Sequence, residues 1–134
     1  MTGGEAAMQR RRAAERRGRS AEDRAAAMLE VQGYVILARR FRVSGGEVDL
    51  IARDPGGVIA FIEVKARAVS ADALAAVSAH QRGRILTGAL TYVAQNAAAA
   101  GAAPLRFDVV AVDGDGRLHH VVDAWRPDGD PGAF

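Results

Sequence analysis

Three residues near the middle of the chain have the types and spacing that hydrolytic chemistry needs: Asp49, Glu63 and Lys65. They lie in two runs, Glu47-Val48-Asp49-Leu50-Ile51 and Phe61-Ile62-Glu63-Val64-Lys65, with Pro55, Gly56 and Gly57 between them. If the runs are paired strands with Asp54 facing Val58, the register sets Asp49 opposite Glu63 and Glu47 opposite Lys65. Period-two alternation then sends all four side chains to one face. Opposed residues in such a ladder have Cβ atoms about 4.5–5.5 Å apart. Two carboxylates held that close repel unless a cation or a proton lies between them. Oxygen donors from Asp49 and Glu63, with the backbone carbonyl of Val64, suit Mg²⁺ or Mn²⁺. An ion held there would polarise a phosphoryl group and lower the pKa of an attacking water. Lys65 would position or deprotonate that water and stabilise developing negative charge. The expected chemistry is phosphodiester hydrolysis.

The bland reading of an acid-x-lysine run is an exposed cross-strand ion pair, and short motifs of this kind match by chance. Two features weigh against it. One is the second acid, Asp49, at a register that brings the carboxylates together. The other is that Lys65 is the one lysine among 18 basic residues. Lysine can approach its neutral form and is a compact point charge, which a guanidinium is not.

The elements that must position these residues follow from pattern. Ser20 and Asp23 look like a helix start, Ala21, Ala25, Met28 and Leu29 form its apolar stripe, and Gly33 ends it. Tyr34 to Val43 reads as a first strand, with a turn at Ser44, Gly45 and Gly46. Glu47 to Asp54 is a second strand with Val48 and Leu50 on one face and Glu47, Asp49 and Ile51 on the other. Val58 to Ala66 is a third, whose Val58, Ala60, Ile62 and Val64 should pack on a helix. Residues 67 to 77 read as a loop running into a helix from about Val77 to Ala100, with Ile85, Leu86, Ala89, Leu90, Tyr92 and Val93 at helical spacing. Leu105 to Val112 and Leu118 to Val122 are the last strands. The predicted fold is α/β: helix, three-strand antiparallel meander, helix, two strands, making a central mixed sheet flanked by helices.

With 134 residues the chain has the length of one domain. Ala inflates its hydrophobic fraction and only 5% of residues are aromatic, so the core must be mainly Val, Ile and Leu. Without Cys, a disulfide framework or thiolate zinc site is excluded, and a reducing cytoplasm is the expected location. The N-terminus holds Arg10, Arg11, Arg12, Arg16 and Arg17 but no long apolar run, so neither export nor a membrane is expected. Residues 1–18 read as a flexible basic arm able to neutralise phosphates, 19–125 as the domain and 126–134 as a flexible tail.

The segments Gly45-Gly46-Glu47-Val48-Asp49-Leu50-Ile51-Ala52 and Phe61-Ile62-Glu63-Val64-Lys65-Ala66-Arg67 resemble the YraN-like family of uncharacterised bacterial proteins. These are predicted endonucleases similar to archaeal Holliday junction resolvases, in the PD-(D/E)XK superfamily. Gly18, Ala21-Glu22, Gly33-Tyr34 and Arg106-Phe107-Asp108-Val109-Val110 extend the likeness to roughly residues 18 to 125. The resemblance implies a restriction-endonuclease-like fold, Asp49 and Glu63 as metal ligands, Lys65 as the catalytic lysine and Glu22 as a further acid reaching the site from the first helix. Two positions depart from the pattern. No proline precedes Asp49, and Gln81 stands where the family often has a lysine; Gln81 could still bond a water or phosphate.

The expected activity is metal-dependent endonucleolytic cleavage of DNA, with branched or damaged DNA suggested by the resemblance alone. Arg39, Arg40, Arg42, Arg67, Arg82 and Arg84 are the expected phosphate contacts, which position but do not specify. Resolvase-like symmetry would imply a homodimer. The competing reading is a non-catalytic nucleic-acid-binding module with the same fold. A third is an assembly protein that dimerises through the apolar helix 85–93. Asp108 reads equally as a structural acid, and His119 and His120 have no ligands at metal spacing. Trp125 is expected to pack at the domain edge.

Overall fold

The computed structural model describes residues 2–66 and 76–128. The expectations placed on Arg67, on the loop from 67 to 75 and on the tail beyond 128 lie outside them.

Helix α1 spans Gly3–Val31 and starts where Thr2 caps it, its hydroxyl accepting the Glu5 N–H at 3.1 Å. The start expected at Ser20 is therefore corrected to Gly3. Thr2 and Glu5 have capping-box spacing, and residues 5–17 contain only strong helix formers, with Ala, Arg, Glu, Gln and Met throughout. Gly18 costs about 1 kcal/mol relative to Ala and does not break so long a run. The helix ends as Gly33 was expected to end it: with φ +90° it lets Tyr34 N–H reach Leu29 O and its own N–H reach Glu30 O.

Five strands follow α1 in one sheet of order β1-β2-β3-β4-β5: β1 Val35–Val43, β2 Gly46–Arg53, β3 Ile59–Ala66, β4 Leu105–Val112 and β5 Leu118–Trp125. The first three form the expected meander, β3 and β4 run parallel, and β4 and β5 are antiparallel. A parallel pair needs a crossover. Helix α2, Ala79–Gln95, and the short α3, Ala97–Ala100, lie in that connection. The fold is thus α/β, a mixed sheet with helices on its two faces.

Each face has its own core. On one, Ala25, Ala26 and Leu29 of α1 pack on Leu50, Ala52, Ala60, Ile62 and Val110. On the other, Ile85 and Ala89 of α2 pack with Val48, Ile51, Phe61, Phe107, Val109 and Trp125. The alternation expected for β2 is corrected here. Val48 and Leu50 do not share a face, because Val48 joins Ile51 under α2 while Leu50 lies under α1. The pleat reverses at the residue between, Asp49. Trp125 is not at an edge but 2% exposed, its ring 4.4 Å from that of Phe107, and β5 runs three residues past its expected end to carry it there. The apolar stripe of α2 is spent on the sheet: Ile85 and Ala89 are buried, and Leu86, Tyr92 and Val93 pack on the same core. Only Leu90 of that stripe stays well exposed, so most of the apolar face of helix 85–93 packs on the chain's own sheet.

Candidate active site

The β2–β3 ladder is regular from Arg53↔Ile59 to Leu50↔Ile62 and goes no further. The next positions in that register are Asp49 and Glu63, the pair that the turn chemistry at Pro55, Gly56 and Gly57 predicts. Beyond them the strands part. Val64 N–H, which a continued ladder would direct at the backbone of Val48, instead donates to Asp49 Oδ2 at 2.8 Å. The N–H and C=O of one strand residue share an edge, so the Val64 carbonyl lies on the same side as Asp49. β3 meanwhile stays paired to β4 through Glu63↔Val109 and Lys65↔Ala111. The fork therefore opens between β2 and β3.

On its other edge β2 stays paired to β1 past this point. Arg39↔Leu50 and Phe41↔Val48 bracket Arg40 and Asp49, and Arg40 has φ +53°, a conformation few non-glycine residues adopt. That residue reverses the pleat of β1 just as Asp49 does in β2, so Phe41 turns toward α2. The Arg40 guanidinium reaches Glu22 Oε2 at 3.3 Å.

Glu47, Asp49, Glu63, Gln81, Arg84 and Ile85 line an open-mouthed cleft of ≈ 120 Å³. Its far wall is the first two turns of α2, capped by the Ser78 hydroxyl on Gln81 N–H at 3.1 Å. That wall stands close because two glycines meet. A Cβ at Gly46 would fall 2.6 Å from Gly88 N, and one at Gly88 would fall 2.9 Å from Val48 Cγ2. Pattern reading marks Gly46 as a turn and passes over Gly88.

The electrostatics of the cleft are under-compensated. Burial, the charge of Asp49 and a hydrogen bond with it push the Glu63 carboxyl up to about 8, against a partial opposing effect of Lys65. Burial also raises Asp49, although the Val64 N–H acts the other way. Glu22, buried at the base of α1, is raised by desolvation and by Asp49 in spite of Arg40. Two half-buried carboxyls brought together with one backbone N–H between them thus favour uptake of a proton or a cation. Among the described residues no three acidic or imidazole side chains converge into a complete metal-binding group.

Of the expected site residues, the structure thus brings Asp49, Glu63 and Gln81 together in the cleft, with the Val64 N–H bonded to Asp49. Glu22 and Lys65 act on it through their charges. Each expected phosphate contact among the described residues has a partner. Arg39 pairs with Asp23, Arg40 with Glu22, Arg42 with Glu47 at 3.2 Å and Arg84 with Glu47 at 3.6 Å. Arg82 is turned away from the cleft, its guanidinium 5.6 Å from the centre of the Trp125 ring and its Nε donating to Val77 O.

A model of the family described as "Uncharacterised protein family UPF0102" matches residues 21–112, from the buried end of α1 through β4. The chain belongs to this family. Relatives named UPF0102 protein include one from Azorhizobium caulinodans, 42% identical over 92% of each chain. Another from Methylorubrum extorquens is 45% identical over 90% of this chain and 92% of its own. That of Agrobacterium fabrum is 47% identical over 87% and 93%. The matched stretch holds every residue that lines the cleft, together with Glu22 and Lys65.

A second acidic cluster, which the pattern reading left as a lone Asp108, lies within or beside that family segment. Asp108 is fully buried and accepts from Arg106 Nε and Nη2 at 2.8 Å each, from Asp123 N–H at 2.9 Å, and is 2.9 Å from His120 Nε2. Arg106 also reaches Asp54 Oδ2 at 2.9 Å and the Tyr34 hydroxyl at 2.7 Å. Burial alone would raise Asp108, but the bonds from His120, Arg106 and Asp123 N–H hold it below the usual carboxylate range. It is a structural acid with every lone pair engaged. His120, expected to be without ligands at metal spacing, meets the carboxylate of Asp108, 12 positions away in sequence and two residues along β4 from Val110, its cross-strand neighbour. His119 similarly meets Asp113 at 2.9 Å.

Proposed function

We propose that the chain is a metal-dependent nuclease of the restriction-endonuclease-like class that hydrolyses DNA phosphodiester bonds at the Asp49–Glu63 cleft. One observation carries this reading: two half-buried carboxylates brought together in one cleft, at a fork in the sheet, with the chain's lone lysine two residues from Glu63 on the same strand. A fork that leaves like charges unneutralised costs stability, and folds keep such arrangements where function uses them.

The donor set fits Mg²⁺ or Mn²⁺. Two carboxylates and a strand carbonyl on one edge leave most of the coordination sphere to water and substrate oxygens, which is how Mg²⁺ is held, and the cleft has room for about four waters. Bound by Asp49, Glu63 and the Val64 carbonyl, the ion would supply Lewis-acid stabilisation of phosphoryl oxygens and an acidified water. The chain does the rest. Val64 N–H fixes Asp49 Oδ2 and thereby orients the carboxylate. Lys65 stabilises the negative charge that develops on the phosphoryl group and aids deprotonation of the attacking water. Arg84 and Gln81, on α2, offer donors to the phosphate on the opposite wall. Glu47 holds Arg42 and Arg84, so a phosphate entering the cleft takes over guanidinium groups already gathered there.

The second reading, a nucleic-acid-binding module without turnover, is favoured by the lack of a third converging ligand among the described residues. The test is cleavage of branched, single-stranded and duplex DNAs with Mg²⁺ or Mn²⁺ by the native chain and by Asp49→Ala. Metal-dependent products from the native chain alone support the nuclease. No product from any substrate, with salt-sensitive binding retained, overturns it in favour of the binding module. Calorimetry with Mn²⁺ should show one site, lost in Glu63→Ala.

A further inference from the structure

Residues 2–20 of α1 touch almost nothing. The buried residues of this helix begin at Ala21, and before it only Ala6, Ala7, Ala13 and Gly18 are even half covered. From Gly3 to Glu22 the axis runs about 28 Å, so some five turns stand clear of the domain. This projection holds Arg10, Arg11, Arg12, Arg16, Arg17 and Arg19 against Glu5 and Glu15, a surplus of four positive charges, where the whole chain has a surplus of two. None of those six guanidinium groups is ion-paired to a described carboxylate, unlike Arg39, Arg40, Arg42 and Arg84 on the domain.

Their placement around the helix is two-sided. At about 100° per residue, Arg10 and Arg17 fall within about 20° of one another, Arg12, Arg16 and Arg19 form a second row roughly 140° away, and Arg11 stands alone on the wider arc between them, about 110° from each. Between Thr2 and Ser20 there is no Leu, Ile, Val, Phe or Trp, so neither a coiled-coil seam nor a membrane-inserting face is present.

The geometry points to this projecting half of α1 as a groove-binding arm that lies in the major groove of duplex DNA, its two arginine rows reaching the phosphates on the two walls. A helix is about 10–12 Å across and the B-form major groove about 12 Å wide, so the fit is close. Cationic rows on opposite flanks match a groove with phosphates on both sides better than a flat surface, which one row would serve. The deep, narrow major groove of A-form RNA excludes such a helix. The arm leads away from the cleft: Arg19 lies one turn before Glu22, whose carboxyl senses Asp49. The inference rests on the nuclease reading only for the advantage of holding a duplex beside the cleft; the binding itself needs no chemistry.

The test uses the full chain without metal and a fluorescent 20-base-pair DNA duplex, with anisotropy followed across salt. Arg10, Arg12, Arg16, Arg17 and Arg19 are changed together to Gln, which has nearly the same helix propensity, or together to Lys. Each lost phosphate contact lowers the slope of log affinity against log salt by about 0.9, so the Gln set should reduce it by about 3 or more and the Lys set should restore most of it. Because the chain has no cysteine, a photocrosslinker on Ala14→Cys should join the DNA duplex, and an A-form RNA duplex of equal length much less. An unchanged slope in the Gln set, or equal crosslinking to RNA, overturns the arm. Cleavage assays separate the two proposals: cleavage with an unchanged slope leaves the nuclease and removes the arm, and a reduced slope without cleavage does the reverse.

Discussion

Asp49 and Asp108 sit at the same structural device and end in opposite states. Each lies beside a non-glycine residue at positive φ in an edge strand, Arg40 of β1 for Asp49 and Asp123 of β5 for Asp108; the β4–β5 ladder shifts register at that point, whereas the β1–β2 ladder keeps its register there and shifts at Leu37. At Asp108 the break turns a backbone N–H into the carboxylate, and Arg106 and His120 complete the shell. At Asp49 the edge strand supplies only Arg40, whose guanidinium goes to Glu22, and the carboxylate is left with one N–H and a second acid. The lesson is that burial and irregular backbone do not by themselves mark a working acid. What distinguishes the two is compensation: one carboxyl is held below its ordinary range and the other above it.

The sharpest way to break the comparison is to neutralise each acid in turn. Asp49→Asn should lower metal-dependent cleavage by at least about 10³-fold, because a ligand is lost, while leaving urea stability unchanged or raised, since the repulsion with Glu63 goes with it. Asp108→Ala should do the converse. It removes the buried acceptor of Arg106, His120 and the Asp123 N–H and leaves Arg106 with Asp54 and the Tyr34 hydroxyl, at about 3–5 kcal/mol, read as a lowered urea midpoint, with cleavage lost only in proportion to unfolding. Equal stability losses in the two variants would mean that the acids play the same role.

The two clusters also predict opposite responses to pH. Glu63 has its carboxyl raised from 4.5 to about 8 in the folded chain, so between those values the native state binds more protons than the unfolded one. Stability of the metal-free protein therefore declines as pH rises from about 4.5 to 8, by a few kcal/mol in total, and is level above. Asp108, depressed in the fold, works the other way: its contribution is present above the ordinary carboxylate pKa and is lost only as acid carries pH below that value. Thermal melts from pH 5 to 8.5 should show the first decline, and Glu63→Gln should flatten it. Mn²⁺ should reverse it and release protons on binding, a release visible as buffer-dependent binding heat. A melt that rises steadily to pH 8 would remove the proton bound at Glu63 from the picture.

The Asp49–Glu63 register could be read from sequence because a Pro-Gly-Gly turn pins it and period two does the rest. Strand β4 likewise shows itself as an apolar run between Pro104 and Asp113. The shell of Asp108 and Arg106 could not be read, since His120 and Asp123 reach Asp108 from β5 while Tyr34 and Asp54 reach Arg106 from two further segments, and they meet only when the sheet is assembled. Nor could the reversal at Asp49, which depends on the backbone of Arg40 in a neighbouring strand. The first half of α1 was hidden for a different reason. Apolar periodicity reveals helices that bury a face, and this half buries none; its evidence was the Thr2–Glu5 cap and high propensity, both weaker local cues.

The smallest expected effects concern the wall that only one cluster has. The cleft depends on how closely α2 approaches β2, whereas the Asp108 shell is built wholly from the sheet and its flanking residues. Gly46→Ala would drive a Cβ to 2.6 Å from Gly88 N and 3.0 Å from Gly88 Cα, backbone atoms that can yield only if the helix moves. Such overpacking costs about 1–3 kcal/mol, and the shift should carry Gln81 and Arg84 away from Asp49 and weaken cleavage beyond what the lost stability explains. Gly83→Ala is the control on the same helix. Nothing lies within 4 Å of its Cβ, so it should stabilise by up to about 1 kcal/mol through helix propensity and leave cleavage unchanged. Opposite signs in urea unfolding, with the cleavage defect confined to Gly46→Ala, would tie the cleft's function to that single close approach. A neutral Gly46→Ala would show instead that the wall is free to move and that the two carboxylates alone define the site.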